Sequence, residues 1–121
     1  MAEERVDTNP DIFPIGPQVL VCNKVLKKLS QNSNKPYYLF DFDGMVDGEL
    51  KNHKEMRFPS QCGDLILALG GKPGEKKGEY IWDREKVVGN KIKVTMIHEP
   101  DFKDKTKTRA RITEPVQELP F

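Results

Sequence analysis

The chain is poor in the side chains that most often carry chemistry, with two cysteines, two histidines and one tryptophan in 121 residues. Cys22 and Cys62 stand 40 positions apart at a spacing that fits no metal motif, and nothing marks a secreted chain, so buried free thiols are expected. His53 and His98 have no acidic or thiol companion at ligand spacing and read as ordinary surface or turn residues. There is no Ser/His/Asp or Cys/His grouping and no phosphate-cradling glycine loop, so neither an enzyme nor a metal or other cofactor is expected. No run approaches the ~18 apolar residues that span a bilayer. The first residues are acidic where a secretory leader is basic and then apolar, so a cytoplasmic chain without membrane attachment is expected. A strong overall field is missing as well, because the net charge is only +1.

What the chain does contain is charge in patches and apolar residues in short periodic runs. A hydrophobic fraction of 36% beside a charged fraction of 32% suits one solvated domain with a modest core. Residues 1–17 hold Glu3, Glu4, Asp7 and Asp11 with Pro10, Pro14 and Pro17. They read as an acidic, proline-rich arm whose Ile12, Phe13 and Ile15 pin it to the body. Residues 18–114 read as the domain proper and 115–121 as an extended tail.

The organising stretch is Phe58 to Gly71. Cys62, Leu65, Ile66 and Leu69 follow one another at helical spacing, Ser60 suits the N-cap, and Gly70 suits the C-terminal stop. On either side the period becomes strand-like. Gln18–Leu29 is a long strand with Val19, Val21 and Val25 on one face and Leu20, Cys22 and Leu26 on the other. In Tyr37–Phe42, Tyr38, Phe40 and Phe42 should face the core while Tyr37, Leu39 and Asp41 are more exposed. Gly44 and Gly48 break that strand, and residues 51–58 make a weaker third one. Lys72–Gly78 is a flexible loop, and Asp83 caps a short turn stapled by Trp82 and Val87. Ile92, Val94 and Met96, then Ala110 and Ile112, mark two more strands. Strand, strand, strand, helix, strand, strand predicts a mainly β fold, a five-stranded Greek-key barrel of the OB type with one helix between strands 3 and 4.

Leu39-Phe-Asp-Phe-Asp-Gly-Met-Val46 resembles the first motif of the haloacid-dehalogenase-like phosphatases, which would make Asp41 the nucleophile and Asp43 the acid/base. That family needs a doubly wound sheet, whereas the residues after Asp43 read as a helix and antiparallel strands, so the resemblance is kept as a remote alternative. A calcium loop fails because Met45 and Val46 occupy the positions that require an oxygen ligand and a glycine.

The distributed signal is polyanion binding. Lys24, Lys27 and Lys28 end the first strand, and Lys54 and Arg57 lie on the third. Lys72, Lys76 and Lys77 fill the loop after the helix, and Lys103, Lys105, Lys107, Arg109 and Arg111 dominate the last hairpin. Cations spaced along a groove take phosphates and aromatic faces take bases; Tyr37 and Phe102 are the aromatics a core needs least. The competing reading is a solvated, aggregation-resistant surface. Glu118-Leu119-Pro120-Phe121 resembles the tip of the bacterial single-stranded-DNA-binding family, which docks into replication and repair enzymes. Asp43-Gly44, Ala68-Leu69-Gly70 and Val88-Gly89-Asn90-Lys91 look like small single-stranded-DNA-binding proteins of bacteriophage replication and recombination modules. The resemblance implies a sequence-tolerant binder of single-stranded DNA that recruits replication or recombination partners through its tip and allows a homodimer. The alternative from another class is an interaction module or inhibitor that uses a barrel edge.

Overall fold

The computed structural model describes residues 12–31, 33–101 and 106–117. Its long strands are β1 (Gly16–Leu29), β2 (Pro36–Val46) and β3 (Glu49–Arg57), then β6 (Lys91–Pro100) and β7 (Thr108–Gln117). Between β3 and β6 come a 3-10 turn (Pro59–Gln61), helix α1 (Gly63–Ala68) and two short strands, β4 (Lys72–Pro73) and β5 (Tyr80–Ile81). The chain is mainly β, with one large antiparallel sheet in the order β3-β2-β1-β6-β7 and a separate β4-β5 hairpin. Backbone pairing does not join β3 to β7, so the ladder is open at that seam.

The inner face of the sheet carries Leu20, Cys22, Val25, Phe40, Phe42, Ile92, Val94, Met96, Ala110 and Ile112, all buried against Leu65, Ile66 and Leu69 of the helical segment. Cys22 and Cys62 are buried free thiols, as expected. In β2, Phe40 and Phe42 are buried in the core as expected and stack 6.2 Å apart, but Tyr38 is only half-buried and Asp41, expected to be more exposed, is buried on the other face. The alternation expected of β1 does not hold. A bulge between Cys22 and Lys24 inserts Asn23 opposite a single step of β2, so the inward set changes phase from Leu20 and Cys22 to Val25. One extra residue moves every later side chain to the other face. Val25 therefore joins Leu20, and Leu26 turns outward with Val19 and Val21.

β2 does not end at Gly44. It continues to Val46 and turns at Asp47 and Gly48, whose φ angles of 52° and 81° suit the tight two-residue hairpin that an Asp-Gly pair favours. Gly44 serves packing: a Cβ there would lie 2.9 Å from both Leu20 and Phe13. Phe13 is fully buried, and His98 Nε2 meets its carbonyl oxygen at 2.6 Å. The arm is thus pinned at Phe13, with Ile12 packed against the core and Ile15 exposed.

The apolar stripe on the helix is as expected, but its start is not. Pro59-Ser60-Gln61 forms the 3-10 turn, and Cys62, not Ser60, occupies the cap position before α1. The stop is as read: Gly70 has φ 105°, and the Gly71 amide donates to the Ile66 carbonyl at 2.8 Å. Lys72 and Pro73 form β4, and residues 74–79 are the connecting loop of the β4-β5 hairpin, in which Gly74 N donates to Glu79 O at 2.7 Å. Asp83 caps its turn, accepting from the Glu85 amide at 2.9 Å, while Trp82 packs on Tyr38 and Phe40. Residues 115–117 are strand and not tail. Pro115 is accommodated by the β7 bulge opposite Lys93–Thr95, where Glu114 takes φ 50°.

At the seam, two side chains of β3 stand in for the missing ladder. Ile112 of β7 donates its N–H to Glu55 Oε1 at 3.3 Å, and its carbonyl accepts from Arg57 Nη2 at 2.7 Å. Arg57 also donates to Glu55 Oε2 at 2.7 Å and to the Gln61 carbonyl at 2.9 Å. His53 Nε2 meets Glu55 Oε1 at 2.8 Å. His53, Glu55 and Arg57 are all buried. His53 is therefore not a surface residue, and Arg57 is not on a ligand-facing surface. A three-residue polar row pointing inward conflicts with hydrophobic alternation, which is why residue type alone misplaced it.

Candidate nucleic-acid interface

The outer face of the sheet is organised in tiers, because antiparallel register places paired residues side by side. At one end Lys28 pairs with Tyr37. Next come Leu26, Leu39 and Met56, one from each of β1, β2 and β3. The third tier is Lys24, Asp41 and Lys54. The fourth is Lys91, Val21, Asp43 and Asn52. In the last tier Lys93 pairs with Val19 and Met45 with Leu50; Gln18 Nε2 donates to the Met45 carbonyl at 3.0 Å and ties the two pairs together. Strand spacing puts Lys24 and Lys54 about 10 Å apart at the backbone, on either side of Asp41. One apolar tier thus lies between charged ones, and the last two tiers mix lysines with apolar residues.

Asp41 is held within this face and is only 7% exposed. Burial pushes its pKa up, but hydrogen bonds from Asn23 at 3.0 Å and Asn52 at 2.6 Å, with the charges of Lys54 and Lys24, bring it below the ordinary carboxylate value. It is an ionised anchor for the bulge and for β3. Its two amide donors come from side chains that no motif links to it. The sheet is antiparallel throughout, so the doubly wound parallel sheet that a phosphatase reading of Asp41 and Asp43 requires is not formed.

Lys24, Lys28, Tyr37 and Lys54 therefore share one face. The others are distributed elsewhere. Lys27 sits on the opposite phase of β1 with its Nζ 5.9 Å from the Tyr38 ring centroid. Lys72, Lys76 and Lys77 are exposed on the β4-β5 hairpin, whose Tyr80 ring lies against Gly63 of α1. Lys107 is exposed at the start of the last hairpin arm, its carbonyl accepting from Asp101 N at 2.9 Å. Arg109 and Arg111 both donate to Glu99, Arg109 through Nε at 2.8 Å and Arg111 through Nη1 at 3.3 Å, and Arg111 Nε lies 3.3 Å from Glu55. Partial burial raises the Glu99 pKa, but these guanidinium donors hold it below its ordinary value, so the cluster is an ion-pair network. Phe102, Lys103, Lys105 and the tip Glu118, Leu119, Pro120 and Phe121 lie outside the described residues.

No known protein family matches the chain, and no curated protein matches it.

Lys91 and Lys93 also lie on this face, beside Val21 and Val19, and were not among the cations singled out from the sequence. Their alternation with Ile92 and Val94 marked them as outward-facing. That β6 lies beside β1, so that they face Val21 and Val19, is a matter of sheet order that short-range periodicity does not carry. Among the described residues no helix is long and apolar enough to cross a membrane.

Proposed function

We propose that the chain is a sequence-tolerant single-stranded-DNA-binding protein, non-enzymatic, built as an OB-type barrel whose outer β1-β2-β3 face holds the strand. The observation that supports it is the grouping of Lys24, Lys28 and Lys54 on one surface with Tyr37, Leu26, Leu39 and Met56 between and beside them. Ammonium groups neutralise phosphates, and the ring and apolar tiers offer flat, dehydrating contacts that do not discriminate among bases. The OB-type reading draws on the strand order, on the helix after β3, and on the Glu55 and Arg57 bridges that bring the open edges within hydrogen-bonding reach. Recruitment of a replication or recombination protein through Glu118–Phe121 draws on the sequence likeness alone, and deleting Leu119–Phe121 should abolish partner capture while sparing DNA affinity.

The deciding experiment is a fluorescence titration with an unstructured oligonucleotide across a range of salt. Log affinity should fall linearly with log salt. The double variant Lys24→Gln with Lys54→Gln should flatten that slope by about 1.4, which is 0.7 for each phosphate contact removed. Absence of binding, or a slope that the double variant leaves unchanged, refutes the proposal.

A further inference from the structure

Beyond the β1-β2-β3 tiers the same face runs into a groove of about 700 Å³ that includes Val19, Val21, Met45, Leu50, Lys91 and Lys93 in its lining. Its floor is unusually apolar for a solvated surface: Val19, Met45 and Leu50 are 39%, 56% and 67% exposed. Exposed apolar clusters of this kind mark binding sites in proteins that otherwise cover themselves with charge. Two ammonium groups stand along the β6 wall, beside Val21 and Val19. One carboxylate, Asp43, shares the lining and accepts from Asn52 at 3.0 Å.

We infer that this groove is a second subsite for single-stranded nucleic acid, in which bases lie on Val19, Met45 and Leu50 while phosphates run along Lys91 and Lys93. The inference deepens the single-strand-binding reading and rests on it. The charge on the groove wall favours this occupant, because it is complementary to a polyanion and continues the cationic tier of Lys24 and Lys54 without a change of face.

The test compares the parent, Lys24→Gln/Lys54→Gln, Lys91→Gln/Lys93→Gln and Met45→Ser/Leu50→Ser in titrations of a long oligothymidine at several salt concentrations, with thermal unfolding as a check on the fold. Removing Lys91 and Lys93 should flatten the salt slope by about 1.4. Removing the apolar floor should weaken binding about tenfold with the slope unchanged, since no charge is lost. All of these side chains are on the surface, so the unfolding temperature should stay near that of the parent. If the parent binds and Lys24→Gln/Lys54→Gln flattens the slope while Lys91→Gln/Lys93→Gln does not, the groove is not a subsite and the single-strand-binding reading stands. Tighter binding by Lys91→Gln/Lys93→Gln would mean that the groove holds a competing segment, which overturns the inference in the same way. A parent that binds no oligonucleotide overturns both.

Discussion

Replacing Arg57 by methionine should unlock the seam between β3 and β7. The side chain of Arg57 holds four groups at once: the Glu55 carboxylate, the Gln61 carbonyl, the Ile112 carbonyl and the Asp64 carboxylate, at 2.7, 2.9, 2.7 and 3.3 Å. Arg57→Met leaves Glu55, 2% exposed, with a buried charge and one fewer cation, and strips the donor from two carbonyls. Breaking one side of a buried pair costs about 3–5 kcal/mol. Because His53 and Arg111 remain beside Glu55, the lower end, about 3 kcal/mol, is expected. For a domain of this size that lowers the unfolding temperature by about 10–15 °C. Urea denaturation of Arg57→Met, Glu55→Leu and the double variant should show a double loss smaller than the sum of the single losses by at least about 1 kcal/mol, since the second change removes the charge the first one orphaned. A loss below about 1 kcal/mol for Arg57→Met refutes the seam argument. So does a folded Arg57→Met that has lost DNA affinity, because the guanidinium would then be a ligand contact.

The same pair sets an acid limit. Burial raises the Glu55 pKa, but hydrogen bonds from His53 and Arg57 and their charges bring it below its ordinary value of 4.5. The unfolded chain therefore binds a proton first as pH falls, so the stabilisation is complete above about 4.5 and drains away as pH drops through the lower folded value. Urea midpoints from pH 7 down to 3 should show this loss, and Glu55→Gln should blunt it; an equal loss in Glu55→Gln would assign it to other carboxylates. Gly44→Ala should cost about 1–3 kcal/mol in urea melts, because its methyl meets Leu20 and Phe13; a neutral result would mean the arm is not seated on β2. Cys22 and Cys62, whose thiols burial pushes up to about 11, should resist alkylation at pH 8 until denaturant is added; prompt labelling of the native protein would contradict their burial. Asp41→Asn should lower stability by about 1 kcal/mol through weaker Asn23 and Asn52 bonds while tightening DNA binding a few-fold at low salt, because a negative charge between Lys24 and Lys54 is gone; weaker binding would argue that Asp41 orients those lysines.

Strands and helix were legible wherever the pattern depends on neighbours a few positions apart. The Tyr38, Phe40 and Phe42 alternation, the Cys62, Leu65, Ile66 and Leu69 stripe, the Gly70 stop and the Asp83 cap each depend on groups within a turn or a pleat of one another. The first misreading came at Asn23, where a single unpaired residue shifted the phase of β1. The second came at His53, Glu55 and Arg57, whose residue types belong on a surface and whose partners, Ile112 and Arg111, are more than fifty positions away in the chain.

By itself the sequence determined the approximate positions of the five long strands, which residues form most of the core, and that cations are plentiful near the strand ends. Only the tertiary structure decided which cations share a face: it grouped Lys24, Lys28 and Lys54, brought in Lys91 and Lys93, and drew Arg57, Arg109 and Arg111 into ion pairs. The reason is physical. Local periodicity says whether a side chain points in or out of its own strand, while the company it keeps depends on strand order, bulges and the closing of a seam, all of which are set by contacts between residues distant in the chain.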